Sequence, residues 1–242
     1  MKIILNGAGG RMGKALTAMI EKGCRGAVLA AGVDPYADGL LPELDAYAGE
    51  ADCIIDFSNH TGTKELTDYA VKKNLPLVIA TTGHTEEEKA MIQEAGKSVP
   101  VFFSGNMSLG IALLTQLARQ TAAMFPDADI EIVESHHNQK LDVPSGTALM
   151  LARAVQEARP QSNLLVGRHE NGKRTKEEIG IHSLRMGNTV GIHEVIINTG
   201  TQIITLKHEA QDRALFAEGA LAAAAFLMGK TPGMYTMQDI VK

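Results

Sequence analysis

The first hundred residues alternate short apolar runs with longer segments whose apolar positions recur every three or four residues. The short apolar runs predict buried strands, and the period of three or four residues predicts amphipathic helices. Their alternation favours a doubly wound parallel sheet flanked by helices. The predicted strands are Lys2–Leu5, Ala27–Val33, Cys53–Phe57, Pro76–Ala80 and Val101–Phe103, and the predicted helices are Arg11–Lys22, Thr63–Lys73 and Glu86–Lys97. The stretch Pro35–Glu50 is rich in turn residues, so we expect one abbreviated crossover.

After Gly105 the pattern changes to a long apolar helix, Leu109–Met124, followed by several strands. The strands are predicted at Asp129–Glu134, Gly180–Arg185, Gly191–Asn198 and Gln202–Lys207, with a helix opened by Pro144 and a last helix at Arg213–Met228. The glycine-containing loop at 199–201 indicates a hairpin. Residues Gln161–Lys176 show no periodicity and predict a surface loop.

These elements predict an α/β protein with two domains. Residues 1–107 together with 213–242 would form a Rossmann-like dinucleotide-binding domain with a doubly wound parallel sheet. Residues 108–212 would form an α+β domain for substrate binding and oligomerisation. We expect its sheet to be largely antiparallel, with helices on one face.

Composition removes several classes of protein. The 242 residues are 45% hydrophobic and 21% charged, which is typical of a globular chain rather than a disordered one. The longest apolar stretch, Ala220–Met228, is too short for a membrane span, and two cysteines cannot form a disulfide framework. A net charge of -5 without a basic cluster argues against nucleic-acid binding. We expect a soluble cytoplasmic protein with a small-molecule ligand.

A glycine-rich turn follows the first predicted strand and opens the first helix. Such a turn lets backbone N–H groups approach a pyrophosphate at the positive end of a helix. Asp34 closes the second predicted strand, where an acid accepts hydrogen bonds from ribose hydroxyls and repels a 2'-phosphate. NADH is therefore favoured over NADPH, although Arg11 would weaken that preference. The alternative is a turn that only packs the helix on the strand.

Two further loops follow the fourth and fifth predicted strands, at Ala80-Thr81-Thr82 and Ser104-Gly105-Asn106-Met107. Loops at the carboxyl ends of parallel strands line the ligand crevice of a doubly wound sheet. Polar turn residues also collect in loops without any ligand. Because both segments belong to one predicted sheet, we expect them to contribute to the dinucleotide site.

The densest group of reactive side chains lies in the second half. His136, His137 and Lys140 stand within five positions on an otherwise acidic chain and suit an anionic substrate. The Ser145-Gly146-Thr147 segment offers backbone and hydroxyl donors at a helix N-terminus, which would hold a carboxylate. A substrate with carboxylates is predicted, with a histidine or lysine as proton donor. The alternatives are a zinc site, for which no partner ligands stand at a known spacing, and a capped helix without a ligand.

Taken together, these motifs resemble the 4-hydroxy-tetrahydrodipicolinate reductase family over nearly the whole chain. The resemblance implies NAD(P)H-dependent reduction of the cyclic imine that forms when the hydroxylated substrate loses water, in the diaminopimelate route to lysine. It also implies a homotetramer built through the sheets of the substrate domain. The motifs are G-A-G-G-R-M-G at 7–13, D-F-S at 56–58, T-T-G at 81–83, N-M-S at 106–108, E-S-H-H-N-Q-K-L-D-V-P-S-G-T at 134–147, R-M-G at 185–187, G-I-H at 191–193 and R-A-L-F-A at 213–217.

The resemblance also assigns roles to residues. It implies His136 as proton donor with Lys140 as a second donor or charge, and leaves open which of the two delivers the proton. It implies substrate-carboxylate contacts at His137, Ser145, Gly146 and Thr147. Ala80 and Met107 depart from the glycine and phenylalanine that are commoner in the family. The implied dinucleotide contacts are Gly7, Ala8, Gly9, Gly10, Arg11, Met12, Asp34, Ala80, Thr81, Thr82, Ser104, Gly105, Asn106 and Met107.

Two other functions fit parts of the pattern. The chain could be another NAD-dependent dehydrogenase, acting on a dicarboxylate or amino acid with the same architecture. It could instead be a non-catalytic nucleotide sensor that uses its second domain for assembly. A sensor would have no use for proton donors at His136 and Lys140.

Overall fold

The computed structural model describes all 242 residues, and its internal contacts divide the chain into two compact units. The first unit comprises residues 1–109 and 213–242, and the second comprises residues 110–212. None of the helices combines the length and the apolarity that a membrane span requires.

The first unit contains a six-stranded parallel sheet in the order β11-β5-β4-β3-β1-β2. This order confirms the doubly wound arrangement. The strands are β1 (Lys2–Asn6), β2 (Val28–Val33), β3 (Cys53–Asp56), β4 (Leu77–Ile79), β5 (Pro100–Phe103) and β11 (Gly233–Tyr235), and the helices are α1 (Arg11–Glu21), α2 (Thr63–Lys73), α3 (Glu86–Ala95), α6 (Ala214–Leu227) and α7 (Met237–Ile240).

The central strands of this sheet are fully buried, with Ile3, Ile4 and Leu5 of β1 inaccessible to solvent. A parallel sheet covered on both faces needs such continuous apolar runs, which is why the sequence predicts these strands well. The crossover from β2 to β3 contains only a 3-10 turn at Leu44–Ala46, as expected for an abbreviated connection. The short edge strand β11 was not predicted, because it depends on pairing with β5.

The second unit contains a five-stranded sheet in the order β10-β9-β6-β8-β7. The sheet is mixed: β9 is antiparallel to both β6 and β10, as expected, whereas β8 is parallel to both β6 and β7, which the sequence does not predict. The parallel pairs arise because a helical crossover after β6 and the connection 167–177 after β7 each return the chain in the same direction. The elements are α4 (Leu109–Met124), β6 (Asp129–His136), α5 (Gly146–Ala158), β7 (Asn163–Val166), β8 (Glu178–Arg185), β9 (Gly191–Asn198) and β10 (Ile203–Ala210).

One face of this sheet packs against helices α4 and α5, as expected. Ile132 and Val195 of the sheet are buried in one apolar cluster with Leu151 of α5. The hairpin between β9 and β10 is confirmed by their antiparallel register and by the hydrogen bond from Thr199 N to Gln202 O. The predicted loop at Gln161–Lys176 is wrong in part, because it contains the edge strand β7, which is held by pairing with β8.

Helix α5 begins at Gly146 and ends at Ala158, and the residue next to each end has a buried side chain that makes hydrogen bonds. Ser145 caps the start by accepting a hydrogen bond from Ala148 N at 3.2 Å, so Pro144 lies before the helix rather than in its first turn. Arg159 follows the last residue and is 3% exposed. Its guanidinium donates to the carbonyl oxygens of Ala122, Phe125 and Ala128, around the end of α4 and the start of β6.

We expect Arg159→Ala to lower the free energy of unfolding of the second unit by about 3 kcal/mol, because buried carbonyl groups lose a charged donor. Urea denaturation followed by circular dichroism measures the loss. Arg153→Ala is the matched control, since Arg153 lies on the same helix and is exposed. Equal unfolding midpoints for the two variants would contradict the prediction.

Candidate functional site

The glycine turn of the first unit packs tightly against the strands behind it. Gly7 has φ +79°, and a side chain there would place its Cβ 2.4 Å from the carbonyl oxygen of Phe57. The backbone N–H groups of Gly7 and Ala8 both donate to Val33 O, at 2.8 and 3.2 Å. Helix α1 starts directly after Gly10, which has no side chain to cap it. This arrangement leaves a helix N-terminus suited to binding an anion.

Asp34 stands at the end of β2 with its carboxylate fixed beside the turn. It accepts hydrogen bonds from Gly9 N at 3.1 Å and from Tyr36 N at 3.0 Å. A cavity of about 600 Å³ opens there, and its lining includes three further acids but neither lysine nor arginine. The acidic lining residues are Asp34, Glu43, Asp45 and Glu65.

Asp56, at the end of β3, joins three loops of this edge of the sheet. It is 1% exposed and accepts hydrogen bonds from Asn6 Nδ2 at 2.8 Å, Ser58 Oγ at 2.5 Å and Thr81 Oγ1 at 2.5 Å. Burial raises the pKa of Asp56 above its ordinary value, although these hydrogen bonds oppose the rise. Asn6 is the last residue of β1, and Ser58 and Thr81 lie in the loops after β3 and β4, so one carboxylate orders the ends of three neighbouring strands.

The other residues that the sequence predicts to bind the dinucleotide lie in the two loops after β4 and β5. Ala80 is half-buried and Thr82 is exposed after β4. After β5, Ser104 Oγ donates to Asn106 O at 2.8 Å, which forms a closed turn. Met107 is buried, and its carbonyl oxygen lies where any side chain at Gly219 would stand. These segments therefore share the carboxyl edge of the sheet with the glycine turn.

A cluster of charged side chains closes the end of β6 in the second unit. Glu134 is completely buried, and its Oε2 accepts from His136 Nδ1 at 2.5 Å and from Arg185 Nη1 at 2.9 Å. Its Oε1 accepts from Arg185 Nη2 at 2.8 Å and from Ser145 N at 3.1 Å. Burial alone would raise the pKa of Glu134, but these donors outweigh it and lower the pKa to about 2.

His136 is 8% exposed, and burial is the main reason that its pKa lies below the ordinary value. Its ring meets the ring of His193 edge to face, with centroids 5.1 Å apart. Burial lowers the pKa of His193 to about 4, so this second histidine is neutral at pH 7. His193 Nε2 lies 3.2 Å from Ser145 Oγ, which links it to the start of α5.

The loop after His136 carries the other predicted substrate residues. Lys140 pairs with Asp142 at 2.8 Å and lowers the pKa of that carboxyl. The half-buried His137 accepts a backbone hydrogen bond from Lys140 N at its carbonyl oxygen. Gly146 is exposed and Thr147 half-buried in the first turn of α5, whereas the Ser145 hydroxyl is already used in the cap.

The structure thus brings His136 and the start of α5 together through Glu134. Sequence reasoning assigned no role to Glu134, Arg185, His193 or Asp56, although all four lie in motifs that it quoted. A carboxylate at the buried end of a strand was the available signal for Glu134. Arg185 and His193 join the cluster only through the register of β8 and β9 on β6.

Comparison with known proteins covers the whole chain. Residues 1–107 match the family model "Dihydrodipicolinate reductase, N-terminus", and residues 110–241 match "Dihydrodipicolinate reductase, C-terminus". A 4-hydroxy-tetrahydrodipicolinate reductase of Caldanaerobacter subterraneus subsp. tengcongensis is 44% identical over 100% of this chain and 98% of its own length. The enzyme of that name from Brachyspira hyodysenteriae is 40% identical over 100% of both chains.

A solved structure is similar in fold over the full length. The dipicolinate-bound dihydrodipicolinate reductase from Paenisporosarcina sp. TG-14 superposes with a TM-score of 0.84 at 25% identity, covering 99% of each chain. The chain belongs to the dihydrodipicolinate reductase family.

Proposed function

We propose that this chain reduces the dehydrated form of 4-hydroxy-tetrahydrodipicolinate to tetrahydrodipicolinate with NAD(P)H, in the diaminopimelate route to lysine. The observation that carries the proposal is the buried Glu134–His136 pair, hydrogen-bonded to the start of α5, in a chain that also has a dinucleotide turn. A histidine held next to a helix N-terminus combines a proton carrier with an anion site. Family membership over the full length supports the same reaction.

The first unit would hold the dinucleotide. The uncapped start of α1 suits its pyrophosphate, Asp34 its ribose, and the loops after β4 and β5 the nicotinamide end. We assign the contacts to Gly7, Ala8, Gly9, Gly10, Arg11, Met12, Asp34, Ala80, Thr81, Thr82, Ser104, Gly105, Asn106 and Met107. The buried Asp56 would not contact the dinucleotide itself, but its hydrogen bonds would order the ends of the strands that carry these residues.

The second unit would hold the substrate through its carboxylates. Gly146 and Thr147 offer N–H and hydroxyl donors at the start of α5, and Ser145 shapes that turn through its cap. His137 would contact a carboxylate directly. The Paenisporosarcina relative is described with bound dipicolinate, a dicarboxylate, which supports this class of substrate.

The chemistry requires one hydride and one proton. A reduced nicotinamide held by the loops after β4 and β5 would supply the hydride that an electrophilic carbon of the substrate ring accepts. The negative charge that this leaves is removed when His136 or Lys140 breaks an N–H bond and gives its proton to the ring, which completes a two-electron reduction. His136 is the better placed of the two, because its Nδ1 lies 2.5 Å from the buried carboxylate of Glu134, which balances the charge of an imidazolium, whereas Lys140 is already paired with Asp142.

The sheet of the second unit exposes large apolar side chains on one face. We propose a homotetramer formed through the sheet of the second unit, because Leu184 and Ile203 are 49% and 63% exposed on the side of the sheet away from α4 and α5. Large apolar side chains in such a position are typical of protein interfaces.

Both cysteines are free thiols, which fits the reducing environment of the cytoplasm.

A steady-state assay of NADH oxidation with freshly generated substrate tests the reaction. His136→Gln and Lys140→Ala should each lower kcat by about 100-fold or more, because a proton donor is lost, while the Kd for NADH stays near the wild-type value. Asn138→Ala is the control, since this exposed residue lies in the same loop. No turnover of wild-type protein with either nicotinamide would end the proposal.

We further propose that NADH is preferred to NADPH, because four carboxylates and neither lysine nor arginine line the cavity beside Asp34, and of these carboxylates Asp45 pairs with Lys72 at 2.7 Å, whereas Asp34 pairs with no cation. Asp34→Asn removes one negative charge and should raise the ratio of kcat/KM for NADPH to that for NADH by about tenfold. Asp38→Asn is the matched control, because this nearby exposed acid does not line the cavity. An unchanged ratio in Asp34→Asn would exclude Asp34 from coenzyme selection.

Asp56→Asn tests whether loop order supports dinucleotide binding. An amide cannot accept all the hydrogen bonds that Asp56 receives, so the loops after β1, β3 and β4 should loosen. We expect the Kd for NADH, measured by fluorescence, to rise by about tenfold. Asp52→Asn is the control, since Asp52 accepts from Lys2 N at the opposite end of the strand. Equal affinities in the two variants would contradict the prediction.

A further inference from the structure

We propose that Glu134 is a positioning residue that holds His136 with its proton on Nδ1, so that Nε2 alone takes up and delivers the catalytic proton. The tautomer assignment rests on geometry within the second unit. The catalytic part rests also on the proposed reduction. Glu134 itself would touch neither substrate nor coenzyme, and it acts only through the histidine.

His136 and Glu134 are in direct contact at the end of β6. His136 Nδ1 lies 2.5 Å from Glu134 Oε2, and the glutamate is completely buried. An ionised carboxylate has no proton to donate, so the proton in this hydrogen bond belongs to Nδ1. Neutral imidazole carries a single N–H group, and Nε2 therefore presents a lone pair.

Further donors hold the carboxylate of Glu134 in place. Arg185 binds both carboxylate oxygens, at 2.9 and 2.8 Å, and Ser145 N donates to Oε1 at 3.1 Å. Each oxygen thus has two donors, which satisfies a buried carboxylate. The same three donors keep the carboxylate ionised at neutral pH, which the Nδ1–H tautomer requires.

The other ring nitrogen of His136, Nε2, lies beside Gly191. A Cβ at position 191 would lie 3.2 Å from His136 Nε2, so Gly191 leaves room for this edge of the ring. Protonation of Nε2 creates an imidazolium whose charge is balanced by Glu134. When the Nε2–H bond breaks, its electron pair stays on Nε2 and the proton passes to the reduced ring of the substrate. The histidine returns to the Nδ1–H form without rotating.

Other charged and titratable groups also act on this ring. Glu134 on β6 favours the imidazolium, whereas Lys140 in the following loop and Arg185 on β8 disfavour it. His193 on β9 meets the ring edge to face and is neutral at pH 7. Glu134 is therefore the group whose removal most directly lowers the pKa of His136.

The wild-type protein alone decides the tautomer. Long-range ¹H–¹⁵N correlation spectra of protein labelled at histidine, with His136 assigned by the signals missing from His136→Gln, report which ring nitrogen carries the proton. We expect a protonated Nδ1 and a bare Nε2 at pH 8. A proton on Nε2 would overturn the proposal, whether or not the enzyme turns over its substrate.

The isosteric variant Glu134→Gln then tests the cause. With its amide oxygen held by Arg185, the amide NH₂ would donate to Nδ1 and move the histidine proton to Nε2. Glu131→Gln is the matched control, because Glu131 lies on the opposite face of the same strand and bonds His182 Nε2 at 2.7 Å and Arg174 at 3.4 Å. That control should change the signals of His182 and leave those of His136 in place.

Kinetics give the second readout. Glu134→Gln should lower kcat by about 100-fold with the KM for substrate changed by less than about threefold, because orientation and proton transfer are affected rather than binding. The basic limb of the kcat profile, where His136 loses its proton, should move to lower pH. Equal losses in Glu131→Gln, or an unmoved limb in Glu134→Gln, would overturn the catalytic part. If wild-type protein shows the Nδ1–H tautomer but no reductase activity, the proposed function fails and the positioning by Glu134 stands.

Discussion

The buried carboxylate of Glu134 is the interaction on which the end of the second unit depends. It ties the end of β6 to Arg185 on β8 and to the first turn of α5. Burying a charge costs several kcal/mol unless it is paired and hydrogen-bonded, and here a bidentate guanidinium supplies both kinds of compensation. Arg185 also donates to Asp142 O, so the loop that carries Lys140 is held by the same pair.

Asp56 in the first unit is also a buried carboxylate, but a different set of donors stabilises it. Its donors are an amide and two hydroxyl groups, with no cation among them. Burial therefore dominates and raises the pKa of Asp56, whereas Arg185 and the other donors lower that of Glu134. Both carboxylates order chain segments at the ends of strands, but only Glu134 also holds a group that can carry a proton.

The sequence predicts the strands whose apolar runs are continuous, including the partly exposed edge strand β2, and does not predict the two short edge strands. The strands β1 to β5 were found because their apolar runs are continuous, whereas the edge strands β7 and β11 gain their order from β8 and β5. Alternation of apolar positions is the same in parallel and antiparallel strands, so the mixed second sheet could not be predicted from it. The motif at positions 136–147 predicts part of the candidate site from the sequence. Arg185 could not be predicted in the same way, because it lies 51 residues from Glu134 and reaches it only through the register of the paired strands.

A second cluster on β6 shows that residue types alone do not make a candidate active site. Glu131, His182 and Arg174 repeat the same three residue types on the opposite face of the strand. There the glutamate side chain is 30% exposed, whereas Glu134 is inaccessible, and Glu134 also receives the backbone N–H group that leads into α5. Water competes for the exposed contact and weakens its hold on the ring, whereas the buried contact is directional and persistent. The difference between a surface ion cluster and a candidate active site therefore lies in burial and in the adjoining helix terminus.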